Sequence, residues 1–227
     1  MRVTQQTIEK HTVAKPTFFQ RISVVQDFLI ILIGVFIVLA FLARNFPYFS
    51  FDLVITRSIQ QITFPGFDVF MFTLTNLGNP VAAAISILLI SFILLLIKRY
   101  SAVVVMLISS CGVSLIGLLV KELVARPRPN ALLIHQIGIF VKNDSFPSGH
   151  VLHFIGLFGF LFIFLFTKFK KSFLRNSLLL ILAILLIGIG ISRIYIGAHW
   201  FSDVLGSYLI GTVWLYVMAV LYNKLEK

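Results

Sequence analysis

Three short clusters of ionisable residues stand out in an apolar chain, each where a hydrophobic run begins or ends. They are Lys121 through Pro129, Pro147-Ser148-Gly149-His150, and Ser192-Arg193 through His199 to Asp203. His199 and Asp203 are four residues apart, so on a helix they share a face and the carboxylate can accept a hydrogen bond from one ring nitrogen. The other nitrogen then keeps a free lone pair, which is the tautomer a nucleophilic imidazole needs. Taken alone, His-x-x-x-Asp at a helix start also fits a structural pair or two metal ligands. Its meaning depends on the residues around it.

In the second cluster Ser148 reads as a helix N-cap, and Gly149 lets an anion come close to the backbone. Free N–H groups at a helix start, with its dipole, form an anion site. His150 is placed to donate a proton to a leaving oxygen. An ordinary helix cap is the alternative for Ser-Gly-His on its own. His153, one turn deeper, reads as a packed neighbour. In the first cluster Pro127 disfavours helix at Arg126, so the helix carrying Lys121 should stop by about Ala125. Arg128 then reaches back from an extended segment. With Lys121 it offers a point charge and a planar fork to one anion, the pairing that suits phosphate. Arg193 adds a further cation. Interfacial snorkelling accounts for any one of these bases, but not easily for all of them beside two histidines. Glu122 points about 100° away from Lys121 and reads as packing or as an ion-pair partner of Arg126. His135, Lys142 and Asp144 fall in a long connection that reads as solvated loop, with a lid or substrate contact as the alternative.

The elements that must position these clusters are membrane helices. Hydrophobic residues make up 59% of the 227 residues and charged ones 12%, and mean hydropathy is +1.02, so lipid is the solvent for most of the chain. The net charge of +11 reflects few acids rather than basic clusters, which argues against a nucleic-acid partner. Cys111 lies in an apolar stretch and is expected to be a small buried hydrophobe. Apolar runs at about 24–43, 81–97, 102–124, 150–167, 177–194 and 199–222 give an all-α bundle of six transmembrane helices in one domain, residues 1–227. Between the first two runs, Phe51, Val54, Ile55, Ile59 and Ile62 recur at helical spacing up to Pro65-Gly66, and Phe67, Phe70, Met71 and Leu74 repeat it up to Gly78-Asn79-Pro80. This predicts two short helices, lying in the interface or packed on the bundle. Tyr195, Trp200, Tyr208, Trp214 and Tyr216 are what interface belts and packing supply.

An even number of spans puts both termini on one side and all three clusters on the other. Assigning the termini, the 98–100 turn and the 168–176 loop to the cytoplasm collects most of the 19 lysines and arginines there. Once the cluster cations are set aside, the opposite face keeps only Arg44, Arg57, Arg126 and Lys142. The positive-inside rule therefore places the clusters on the extracytoplasmic face of a plasma (inner) membrane.

Together the clusters resemble the signature of the type 2 phosphatidic acid phosphatase (PAP2) family: Lys-x6-Arg-Pro, Pro-Ser-Gly-His and Ser-Arg-x5-His-x3-Asp. The matching residues are Lys121 to Arg128-Pro129, Pro147-Ser148-Gly149-His150, and Ser192-Arg193 to His199 to Asp203. Arg126-Pro127 has the wrong spacing from Lys121 and is not carried over. The resemblance implies a membrane lipid phosphatase with a phosphohistidine intermediate on His199. Asp203 would orient that ring and His150 would act as acid on the leaving group. Lys121, Arg128, Ser148, Gly149 and Arg193 would hold the phosphoryl oxygens, with no metal and no cofactor. The same motifs occur in vanadate-dependent haloperoxidases, which are not six-span membrane proteins, so hydropathy counts against that reading. The rival from another class is a non-enzymatic protein that binds or flips lipid phosphates. Candidate substrates are phosphatidylglycerophosphate, phosphatidic acid and undecaprenyl diphosphate.

Overall fold

The computed structural model describes residues 18–138 and 144–226, and these hold helices and connecting turns without a strand. Lys142, the N-terminal bases Arg2, Lys10 and Lys15, and the terminal Lys227 lie outside the described residues. In chain order the helices are α1 (Phe18–Asn45), α2 (Ser50–Gln60), α3 (Phe67–Leu77), α4 (Pro80–Leu96), α5 (Tyr100–Val124), α6 (Gly149–Phe154), α7 (Phe160–Lys168), α8 (Phe173–Tyr195) and α9 (Phe201–Leu225). A π-helical turn, Ile155–Gly159, joins α6 to α7.

Among the described residues, five stretches are long and apolar enough to cross a membrane: Val24–Asn45, Tyr100–Val124, Gly149–Lys168, Phe173–Tyr195 and Phe201–Leu225. The expected second span is α4, whose 17 residues reach about 25 Å, short of the roughly 30 Å hydrocarbon core. It is joined to α3 at a bend of 72°, and counting the bent pair as one span gives six. Local chemistry makes the bend. Gly78 ends α3, Asn79 Oδ1 accepts the Ala82 N–H at 2.9 Å, and Pro80 takes the first turn, where its missing N–H does no harm.

On α2 the apolar Phe51 and Val54 are exposed and the buried residues are Asp52 and Thr56, whereas α3 turns an apolar face inward. Phe67, Met71 and Leu74 are buried with Tyr195, Ile196 and Ala198, so α3 is packed against the end of α8. Elsewhere the bundle closes through small residues and internal polar bonds, as expected where lipid offers backbone groups no partner. Gly156 in the π-helical turn lets α5 approach, and Ser109 Oγ of α5 donates to the Gly156 carbonyl at 2.7 Å. Trp214 Nε1 donates to the Ser109 carbonyl at 2.9 Å. Cys111 corrects the expectation: it is exposed, on the face of α5 turned away from the bundle. In a lipid-facing span, apolar character does not require burial against protein.

Two chain reversals bring the clusters to one end. The helix carrying Lys121 stops at Val124 and Ala125 takes a left-handed φ of 50°, so the segment Arg126–Pro129 leaves the helix as the sequence suggested. After α8, Gly197 has φ 72°, and an ideal Cβ there would lie 2.5 Å from the His135 carbonyl oxygen, so only glycine suits the turn. The turn folds back so that the N–H groups of Ala198 and His199 both donate to the Arg193 carbonyl, at 3.0 and 3.2 Å. His199 is thereby fixed beside Arg193.

Candidate active site

Lys121, Arg128, Gly149, His150, Arg193 and His199 line one cavity of about 510 Å³. The three sequence clusters therefore converge, as shared span ends required. The facing wall comes from Phe72, Thr75, Asn76 and Pro80 at the α3–α4 elbow, with Ile137, Gly138 and Ile196 completing it. The short helix α3 and the stretch at Ile137-Gly138 thus form part of the cavity wall.

Each cation reaches the cavity from a different element. Lys121, near the end of α5, donates through Nζ to the Asp144 carbonyl. Arg128 Nη1 donates to the Ala198 carbonyl at 2.8 Å and lies 3.5 Å from His199 Nε2. Arg193 is 5% exposed, and its Nε is buried without a hydrogen-bond partner among the described residues. A buried guanidinium edge on a cavity is an open demand for an anion. Gly149 begins α6, where backbone N–H groups have no intrahelical acceptor. An ideal Cβ on Gly149 would meet nothing within 4 Å, so the backbone borders open space there.

Ser148 and Asp203 lie behind the cavity rather than on it. Ser148 is the N-cap residue as expected, but its side chain makes no cap hydrogen bond and its N–H donates to Ser207 Oγ at 2.8 Å. His153 is a packed neighbour: its ring meets Phe154 edge-on at 6.3 Å and its Nε2 is buried without a partner among the described residues.

His199 is 1% exposed, and its Nδ1 lies 3.5 Å from Asp203 Oδ2. That is longer than a hydrogen bond, and such contacts often tighten only once substrate binds. The pair also arises differently from the helix-face argument. His199 sits in the turn before α9, while Asp203 is in the first turn and reaches back to accept the Trp200 N–H through Oδ2 at 2.9 Å. Burial, then the positive charges of Arg128, Arg193 and Lys121, hold the His199 pKa well below the usual imidazole value. The ring is therefore neutral at physiological pH, with Nε2 towards Arg128. Burial likewise lowers Arg128 from its ordinary value.

One residue set aside by the motif spacing belongs to this site's support. Arg126 is fully buried and pairs with Asp203 Oδ1 at 2.5 Å and with Asp52 Oδ2 at 3.0 Å. The pairing with Glu122 is thus corrected: Glu122 is exposed, because the left-handed turn at Ala125 swings Arg126 off the helix into the protein. Asp52 had no role in the sequence reading. The available signal was the scarcity of acids, since a carboxylate in an apolar segment needs a partner.

Residues 99–227 match the family model of the PAP2 superfamily. The chain belongs to that superfamily. A PAP2 relative, phosphatidylglycerophosphatase B of Bacillus subtilis, is 25% identical over 194 residues, 85% of this chain and 93% of that protein. Lipid A 1-phosphatase of Rhizobium etli is 28% identical over 118 residues, 48% of this chain and 46% of that protein. The fold resembles the crystal structure of a transmembrane PAP2-type phosphatidylglycerolphosphate phosphatase from Bacillus subtilis, with a TM-score of 0.73 and 22% identity over 86% of this chain and 96% of that one. Aquifex aeolicus LpxE matches with a TM-score of 0.54 and 23% identity, covering 78% of this chain and 96% of that one.

Proposed function

We propose that this PAP2 enzyme is a membrane phosphatase that releases phosphate from a lipid phosphate or diphosphate through a phosphohistidine on His199. The observation that carries this reading is a buried, neutral imidazole opening with Lys121, Arg128, Arg193 and His150 onto one cavity. Its relatives are named phosphatases of phosphatidylglycerophosphate and of lipid A, both phosphorylated lipids.

In the first step His199 Nε2 attacks phosphorus and the bond to the lipid oxygen breaks. His150, protonated in the substrate complex, gives its proton to that oxygen. Lys121, Arg128, Arg193 and the N–H groups at the start of α6 meet the charge on the equatorial oxygens, which is most of what phosphoryl transfer asks of a protein. Asp203 faces the opposite ring nitrogen and stabilises the positive charge the imidazole gains. Water then attacks the phosphohistidine, His150 takes its proton, and inorganic phosphate leaves. Ser148 serves this site from behind by shaping the start of α6.

Phosphatidylglycerophosphate, phosphatidic acid and undecaprenyl diphosphate all present a terminal phosphate that such a cavity would accept. The bias of non-motif bases supports a cavity facing the extracytoplasmic side of the inner membrane, with both termini in the cytoplasm. Purified protein given a panel of these lipids should release inorganic phosphate, should continue in a strong chelator, and should be inhibited by vanadate, which mimics the five-coordinate transition state. Binding of the lipids without phosphate release would replace the enzyme reading with a binding or flipping protein.

A further inference from the structure

We propose that Arg126, braced by Asp52, is a positioning residue that fixes and polarises Asp203 from outside the cavity. The inference rests on the phosphohistidine reading of His199. Arg126 does not border the cavity and is fully buried, so it cannot meet the substrate phosphate. Its Nη1 donates to Asp203 Oδ1 at 2.5 Å and to Ser202 Oγ at 2.7 Å, and its Nη2 donates to Asp52 Oδ2 at 3.0 Å. Nε donates to the Phe46 carbonyl at 3.3 Å, and the Phe49 ring lies 5.0 Å from the guanidinium carbon. Asp52 in turn accepts the Ser202 N–H and Oγ, both at 2.8 Å, and the Phe49 N–H at 3.0 Å.

The charge arrangement is what assigns a catalytic purpose. With Oδ1 tied to Arg126 and Oδ2 held by the Trp200 N–H, Asp203 has one rotamer, and in it Oδ2 faces His199 Nδ1. A lone guanidinium in contact with Asp203 would cancel most of the carboxylate field at the imidazole. Asp52 supplies a second carboxylate to that guanidinium, so the three groups together keep a net negative charge. That charge remains available when His199 becomes positive on attack. Asp52, on the short helix α2, is thereby wired to the reacting histidine through Arg126.

The test measures kcat and KM separately, per folded enzyme, for Arg126→Met, Arg126→Lys and the near-isosteric Asp52→Asn. Arg126→Met and Asp52→Asn should lower kcat by about 10- to 100-fold with KM within about twofold, as loss of a group that orients a functional ligand does. Arg126→Lys should recover part of the loss, since it restores the charge without the fork. A purely structural role would lower the folded yield and leave kcat unchanged, which would overturn the proposal. If Arg126→Met does not fold, Asp52→Asn decides. Alkaline-quenched labelling separates the two claims. Absence of phosphohistidine in the unsubstituted enzyme would sink the mechanism itself. Its presence, with an unchanged formation rate in Asp52→Asn, would sink only the role of the brace.

Discussion

An ideal methyl group on Gly78 would lie 2.5 Å from Cδ2 of His150 and 3.3 Å from Cε2 of Phe154, so the α3–α4 elbow rests directly on the ring assigned as general acid. Gly78→Ala should push that ring off its line to the leaving oxygen. Misplacement on the scale of 1 Å can cost about 100-fold in rate. The loss should be larger for an alkyl leaving group, which needs the proton, than for an aryl phosphate, which does not. Equal losses on the two substrates would mean that the elbow does not position the acid.

His199→Ala should abolish turnover and leave the size-exclusion profile in detergent unchanged. Asp203→Asn should depress kcat by roughly 10⁴-fold, as loss of the carboxylate does in comparable triads. Near-wild-type phosphate release by His199→Ala would exclude covalent catalysis through this residue.

The ionisable residues of the cavity were legible in the sequence because charges at the ends of apolar runs are costly there, and because the parity of the spans put Lys121, His150 and His199 at one end; the facing wall from Phe72, Thr75 and Asn76 was not. Nor was the supporting shell. Arg126 and Asp52 come together from 74 residues apart, through a left-handed turn at Ala125 that no spacing announces. The second span was legible only in part: Gly78-Asn79-Pro80 marked a break, but neither its 72° angle nor the packing of α3 against the end of α8 could be read from spacing. Cys111 was misplaced because periodicity cannot separate burial in lipid from burial in protein.

The depressed pKa of His199 makes stability depend on pH with a definite sign. Unfolded, this histidine takes up a proton near pH 6.5, whereas folded it does so only at lower pH. Between those values the unfolded state binds more protons, so stability rises with pH and is lost as pH falls below about 6.5. Each pH unit inside that window removes up to about 1.4 kcal/mol. Thermal melts in detergent at pH 5.5 and 7.5 should show the loss, and His199→Gln should make it shallower. The same slope in both proteins would show that His199 is not the group responsible.

The remaining prediction concerns which side of the membrane the cavity faces. The described helices already place Lys121, His150 and His199 at one end of the bundle, around one cavity, so orientation is a single choice for the whole site. The bases in the 98–100 turn and the 168–176 loop, including Lys168, Lys170, Lys171 and Arg175, belong to the opposite end, and the positive-inside rule assigns that end to the cytoplasm. Arg44 and Arg57, near the cavity end, bond to the carbonyls of Leu123 and Leu133 and so have local reasons to be where they are. Single cysteines at Asn143, which lies outside the described residues, and at Lys170 would decide the matter in a Cys111→Ser background. The substitution removes a thiol that is exposed on α5. An impermeant thiol reagent applied to intact cells should label position 143 and spare position 170. The reverse pattern would turn the cavity towards the cytoplasm and restrict its substrates to lipid phosphates of the inner leaflet.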